Sequence, residues 1–599
     1  MRAMSSNAKF LFVILFAISV VIFIWILSLK GDDAFFEQSD WSLFQRERVS
    51  EEPVLHVEAV VSAHRLATDA GFEMLEKGGT AADAAVAVAA VLSVVEPWFS
   101  SVLGGGTWAL YYNAEDGKVT SLDGVGTTGS KATVSDYANR AGTSGMHQAI
   151  VPGAWDGWML WLDEYGKLGL GDVLAPAIRI AREGSPASSA MAFWLNSQAE
   201  VTLARADTAK IYAPEGRLIR EGDIVYQNDM ASTFEELVEA YEGAIAGGRS
   251  GAIQATRDYF YRGPIAERIV EFSDRQNGYL TISDFNNFSA QIVEPISIVY
   301  RSGMEVFQNP PNSQGITMLL ALNILKSHDL SSLSEVDAVH LQAEAIKLAF
   351  ADRHYHIGDP ERVVVPAEGL LSEDHAERQR DRIDMERAMS WPIQDGFLPT
   401  DPDLGNTTTF HIVDSEGNGA AVTTSLGAQF FVVGDTGIHI NHRMRFLALL
   451  EGSPNQVTPG YKVRHTSNPY MALRDGELYI LGGNTGADSQ SQVQVQQFLN
   501  VVDFGMSAQE AVSQPRFLST AFPSTVYSYQ VRNTLQVEES FSEDLIEELE
   551  RRGHNISVGE GVWGNGGMIV IKGGGKDADV GAESRSNVSY GEKKVKGEM

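Results

Sequence analysis

From Val54 onward the chain alternates apolar stripes at helical spacing with short period-two runs, separated by Gly- and Pro-containing punctuation and without an internal repeat. Lys77-Gly78-Gly79-Thr80 closes one helix and opens the next, and Asp83, three residues past Thr80, completes a capping-box pattern. The helix predicted to follow, AADAAVAVAAVLSVV, is apolar nearly all round and should be enclosed on every side. Residues 296–308 and 407–425 alternate like strands. The stretch from Met385 to Gly405 reads as loop, with Pro392, Pro399 and Pro402, and the polar residues from Ser586 onward read as a frayed end. Within 407–425, two alternating runs flank Asp414-Ser415-Glu416-Gly417-Asn418, the composition of a hairpin turn. A register centred on Glu416 sets Thr407 opposite Ser425, close enough for their side chains to touch. Taken alone, such a hydroxyl pair is an ordinary structural feature of a sheet.

Phe10 to Leu29 is a different kind of segment, apolar throughout and without a charge. At about 1.5 Å per residue it would span a hydrocarbon core of ~30 Å. Arg2 and Lys9 precede it, and Lys30 is followed by Asp32 and Asp33. The charge bias predicts a cytoplasmic stretch 1–9, a transmembrane helix 10–29 and an acidic tether 30–53. Everything beyond would then sit on the periplasmic or extracellular face. Removal of the same segment as a signal peptide is the competing reading, and it too exports the bulk of the chain.

With 599 residues the chain exceeds one ordinary domain of roughly 100–200. Hydrophobic residues make up 44% and charged ones 21%, which permits a large core and excludes wholesale disorder. A net charge of −32 repels phosphate backbones and argues against nucleic acid as a partner. The absence of cysteine removes disulfides, a thiolate nucleophile, iron–sulfur clusters and Cys-type zinc sites. Gly124-Val125-Gly126-Thr127-Thr128-Gly129 matches a dinucleotide fingerprint in spacing only, since no apolar helical stripe and no acidic residue about 20 positions on follow it. The His354–His356 pair lacks a third ligand at metal spacing, and no G-x-S-x-G elbow occurs.

A series of short motifs gives the hydroxyl pair a different weight. In order they are GGTAADAAVA (78–87), VEP (95–97), LGGG (103–106), VPGAWDG (151–157) and PAIRIAREG (176–184). YRGPIAERIV (261–270), EAIKLAFADR (344–353), GDP (358–360), TTTFHIVDSEGN (407–418) and QPRF (514–517) complete the series. On these the chain, from about Val60 to Arg585, resembles the gamma-glutamyltransferase (glutathione hydrolase) family of N-terminal-nucleophile hydrolases. The resemblance implies an α/β fold, a four-layer αββα sandwich made as one precursor that cuts itself between Asn406 and Thr407. A large subunit 54–406 and a small subunit 407–599 would then form a heterodimer, with no cofactor and no metal.

The implied chemistry is coherent. A threonine hydroxyl needs an adjacent base, and an α-amine with a pKa near 7.7–8.0 supplies one once the chain is cut. By resemblance Thr407 is the nucleophile, Ser425 the hydroxyl that bonds it, and the Gly486 and Ala487 amides the oxyanion hole, tolerable at Ala487 if its φ is negative. Thr409 stands where the family usually has histidine. The expected activity is cleavage of a γ-glutamyl amide through an acyl ester on Thr407, passing the acyl group to water or an amine.

The substrate pocket departs from the pattern. The carboxylate-gripping arginine aligns with Val125, the ammonium-binding acid with Phe446, and the paired serines with His465 and Thr466. Arg443, Arg445 or Arg464 is then either a substitute clamp or part of a solvated basic patch, and Gly427 joins Arg443, His465 and Thr466 as a candidate substrate contact. These departures make a different small-molecule amide or peptide, cleaved by the same mechanism, the alternative. A processed but inactive scaffold is the third reading.

Overall fold

The computed structural model describes residues 56–391 and 407–594, apart from 428–429, 527–528, 560–563, 584 and 586–589. The apolar run 10–29, the tether 30–53 and Asn406 lie outside the described residues; among those described, no helix is long and apolar enough to cross a membrane.

Two antiparallel sheets face each other. The first has seven strands in the spatial order Tyr590–Lys594, Glu58–Ser62, Thr407–Val413, Gly419–Ser425, Gly106–Asn113, Lys118–Gly124 and Gln291–Val293. The second has six: Asp577–Ala582, Gly566–Lys572, Glu477–Asn484, Tyr470–Arg474, Glu305–Gln308 and Ile296–Val299. Because strand side chains alternate between faces, each sheet has two apolar sides to cover. Val61, Leu110 and Ala421 from the first meet Met471, Leu481 and Ile569 from the second in the layer between the sheets. Val60, Phe410 and Val422 point the other way, into helices that include Ala81–Val95 and Ala154–Tyr165. On the far side Val306, Ile480 and Val570 pack under Ile316–Leu325, Glu335–His356 and Ser489–Val502. The result is the four-layer αββα sandwich that the motifs implied.

The strand that begins at Thr407 is placed by its own turn. Asp414 Oδ1 accepts from the Glu416 and Asn418 amides, both at 3.0 Å, and Oδ2 accepts from the Ala81 amide at 2.9 Å. The turn is thereby docked on the N-terminus of the helix Ala81–Val95, where free N–H groups favour a carboxylate. That helix starts as its sequence predicts: the Asp83 carboxylate accepts from Thr80 N at 2.8 Å, and the Thr80 hydroxyl accepts from Asp83 N at 3.4 Å. All fifteen of its residues are buried.

Both sequence halves supply strands to both sheets. Thr407–Val413 lies between Glu58–Ser62 and Gly419–Ser425, and Glu305–Gln308 pairs with Tyr470–Arg474. A backbone cut before Thr407 would therefore leave two interleaved fragments rather than two separable lobes. The predicted strand 296–308 is in fact a hairpin, Ile296–Val299 with Glu305–Gln308. The frayed end expected after Ser586 is also corrected. Tyr590–Lys594 forms an edge strand on Glu58–Ser62, because that strand offers an open row of N–H and C=O groups. Lys593 reaches Asp577 at 2.5 Å and Lys594 reaches Glu76 at 2.8 Å.

Candidate active site

The pairing of Thr407 with Ser425 is the observed register, and their hydroxyl oxygens are 2.9 Å apart. Thr407 is 1% exposed and Ser425 wholly buried, so the pair sits where water competes little for hydrogen bonds. A third group, which the sequence did not suggest, meets them. The Gln490 side-chain amide reaches Thr407 Oγ1 at 3.4 Å. Oriented so that its nitrogen donates to Asn468 Oδ1 and the Thr466 carbonyl, both at 2.8 Å, it turns its oxygen toward the threonine hydroxyl. Thr407 can then donate to Gln490 while accepting from Ser425.

The strand Glu477–Asn484 runs over this hairpin and delivers Gly486 and Ala487 just beyond its end. Among the described residues neither amide donates a hydrogen bond, whereas both carbonyls are engaged. Two unspent N–H groups on consecutive residues are the kind of donor pair that an anionic tetrahedral centre requires. The expectation of a negative φ at Ala487 is corrected: φ is +50°, after +98° at Gly486. A left-handed alanine costs about 1–2 kcal/mol. Gln314 Nε2 and the Gln490 backbone N–H, donating to the Ala487 carbonyl at 3.0 and 3.3 Å, hold it there.

The remaining sequence candidates gather around this centre. Gly106 pairs with Ser425 on the adjoining strand, and a Cβ built on Gly106 would lie 3.3 Å from His465 Nε2. A Cβ at Gly427, where φ is +68°, would meet Phe446 at 3.1 Å and Arg443 Nε at 3.3 Å. Val125 and Phe446 are buried in one apolar cluster that also holds Met444, Val457, Val463 and Ala487. The solvated patch of arginines is not what the fold makes, since Arg443 and Arg464 are 1% and 5% exposed. The Arg464 guanidinium donates to the Arg353 carbonyl at 3.4 Å. Thr409 ties its own hairpin together, its hydroxyl donating to the Val422 carbonyl at 2.8 Å.

Glu96, in the VEP motif, is a second residue whose setting the sequence did not disclose. Burial pushes its carboxyl up to about 8, against a smaller opposing pull from the Thr408 side chain. The folded chain thus holds a proton that the unfolded chain releases between about pH 4.5 and about 8. Its contribution to stability is complete below pH 4.5 and is lost as pH rises to about 8. Glu96→Gln cannot ionise. Relative to wild type it should gain about 1.4 kcal/mol per pH unit across that window and then level off, read as paired urea midpoints. A pH-independent offset would show that Glu96 is ionised in the fold.

His340, Glu344 and His554 bring three metal-capable side chains together. Their atoms are already engaged: Lys347 donates to Glu344 at 2.6 Å, and the two imidazoles share a 2.8 Å hydrogen bond.

A buried threonine hydroxyl paired with a serine hydroxyl at the start of an inner strand of an αββα sandwich is the arrangement of the N-terminal-nucleophile amidohydrolases. Within that class the chain belongs to the gamma-glutamyltranspeptidase family, whose model matches residues 67–591. It is 33% identical to the glutathione hydrolase-like YwrD proenzyme of Bacillus subtilis (strain 168), over 83% of this chain and 91% of that one. It is 30% identical to the glutathione hydrolase proenzyme of Escherichia coli (strain K12), covering 85% and 88%. The crystal structure of a cephalosporin acylase from Bacillus halodurans superposes with a TM-score of 0.78 at 30% identity, covering 90% of this chain and 96% of that one. The protein is thus an amidohydrolase of this family.

Proposed function

We propose that the chain cuts itself before Thr407 and then uses Thr407 to hydrolyse or transfer the acyl group of a small amide. The observation that carries this reading is the buried 2.9 Å Thr407–Ser425 hydroxyl pair, and the undonated amides of Gly486 and Ala487 support it. Proenzyme relatives support the self-cleavage. After the cut, the new α-amine, with an ordinary pKa near 7.7–8.0, accepts the Thr407 proton. The hydroxyl oxygen attacks the amide carbonyl, Ser425 donates to the attacking oxygen, and the Gly486 and Ala487 amides receive the oxyanion. The amine then returns the proton to the departing nitrogen, leaving an acyl ester on Thr407. Water or a second amine takes the acyl group from that ester.

A γ-glutamyl amide is the first substrate reading, supported by the glutathione hydrolase relatives. The second, a different acyl amide, is favoured by the apolar lining at Val125 and Phe446, which offers an α-ammonium no carboxylate. The apolar run 10–29 supports export and a membrane tether for the catalytic part.

Intact mass and N-terminal sequencing of the purified protein, with turnover of a panel of acyl anilides, test the reading. The expected result is two fragments, the smaller beginning Thr-Thr-Thr-Phe-His, that co-elute without denaturant because their strands interleave. A chain that stays whole and hydrolyses nothing would overturn it.

A further inference from the structure

Arg443 is 1% exposed, and among the described residues its Nε, Nη1 and Nη2 have no hydrogen-bond partner. Its guanidinium lies instead against the Phe446 ring, whose centroid is 4.6 Å from Cζ. Burial and the like charge of Arg445 pull its pKa down to about 9, which still leaves it protonated at neutral pH. Among the described residues no carboxylate opposes that pull. A buried guanidinium without an acceptor is among the most costly groups a fold can keep. Its retention is understandable where a ligand completes it.

Its position says which part of a ligand. The approach to Arg443 Nε is kept open by Gly427, two residues past Ser425 on the same segment. On the other side, His465 Nδ1 accepts from the Ser467 amide at 3.2 Å, so the neutral ring carries its proton on Nε2. That nitrogen is also buried without a partner, against Gly106. Burial and the charge of Arg443 hold the imidazole neutral. A cationic fork and a neutral N–H donor thus stand near the nucleophile with nothing to bond, and the walls nearby, Val125 and Phe446, are apolar.

We propose that Arg443, assisted by the His465 Nε2–H, binds a carboxylate at the far end of the acyl group, so that the enzyme selects monoamides of short dicarboxylic acids that carry no α-ammonium. This inference rests on the reading of Thr407 as the acylated residue. A glutaryl group has that make-up: it is a γ-glutamyl group without its ammonium. The ammonium of a γ-glutamyl donor would meet the charge of Arg443, which no carboxylate among the described residues compensates.

Three p-nitroanilides, glutaryl, γ-glutamyl and pentanoyl, compared on the processed enzyme test it. Glutaryl should lead both others in kcat/KM by roughly 10²-fold or more. Arg443→Met should remove that lead, mainly through KM, while pentanoyl turnover stays within a few-fold. Phe446→Asp, which supplies an acid beside the guanidinium, should shift the glutaryl to γ-glutamyl ratio at least about tenfold toward γ-glutamyl. Calorimetric titration with glutarate, glutamate and pentanoate reads the same preference without turnover. Glutarate binding that Arg443→Met abolishes, in a protein that hydrolyses none of the anilides, would sustain the carboxylate site and sink the amidase reading. Hydrolysis with no preference for glutaryl, or glutarate binding equal in wild type and Arg443→Met, would overturn the inference and leave the amidase reading standing.

Discussion

Replacing Thr407 by alanine is expected to abolish both the cut and the turnover, the largest effect any single substitution here should have. The hydroxyl is asked to do two jobs, attack on the bond before it in the precursor and attack on the substrate afterwards, and alanine can do neither. Losing a nucleophile from a unit whose parts act together lowers kcat by roughly 10⁵–10⁶-fold. The Thr407→Ala chain should still fold, because Ser425 and Gln490 lose one hydrogen bond while the hairpin keeps its ladder and its Asp414 anchor. Thr407→Ser makes the complementary point. It keeps the oxygen but loses the β-branch that limits the hydroxyl to few rotamers, so it should process slowly and turn over roughly 10- to 100-fold more slowly than wild type. Intact mass reads the cut and anilide release the turnover. A cleaved and active Thr407→Ala would move the nucleophile elsewhere, and neighbouring Thr408 is the first place to look.

The parts of this site that the sequence disclosed are those governed by local rules. Strict alternation with a turn at Asp414–Asn418 leaves one sensible register, and that register pairs Thr407 with Ser425. The Thr80–Asp83 box is likewise a matter of three-residue spacing. What escaped depends on partners far away in the chain. The helix Ser489–Val502, SQSQVQVQQFLNVV, looks too polar to be enclosed, yet Gln490, Gln492, Gln494, Gln496 and Gln497 are all buried. Gln492 donates to the Ser519 carbonyl and Gln496 to that of Phe517, at 3.1 and 2.9 Å, so the amides serve backbone groups that no periodicity announces. Arg443 misleads in the same way: an arginine in a basic run of an acidic protein usually faces water, and only the packed fold shows this one enclosed beside Phe446. The edge strand Tyr590–Lys594 follows from the open side of Glu58–Ser62, which lies more than 500 residues away in sequence.

Gly486→Ala is expected to produce the other large loss, and its contrast with Ala487→Gly isolates the backbone as the cause. At Gly486 φ is +98°, a conformation that L side chains rarely adopt, and a Cβ there would collide with Ser489 Oγ. That serine donates to the Gly486 carbonyl at 2.7 Å, in the turn that aims both amides. Alanine at Gly486 must therefore either displace Ser489 or rotate the peptide, and each response turns an N–H away from the oxyanion. Loss of one such donor lowers kcat about 10²–10³-fold, and the backbone strain costs about 1–3 kcal/mol of stability. Ala487 already tolerates a left-handed φ of +50°, so glycine there relieves strain and moves no amide. The added freedom of the unfolded chain offsets that relief to within about 1 kcal/mol. Ala487→Gly should accordingly match wild type in kcat and lie close to it in melting temperature. Equal losses from the two substitutions would mean that the Ala487 methyl, which packs in the Val125 and Phe446 cluster, matters to the acyl group as much as the amides matter to the oxyanion.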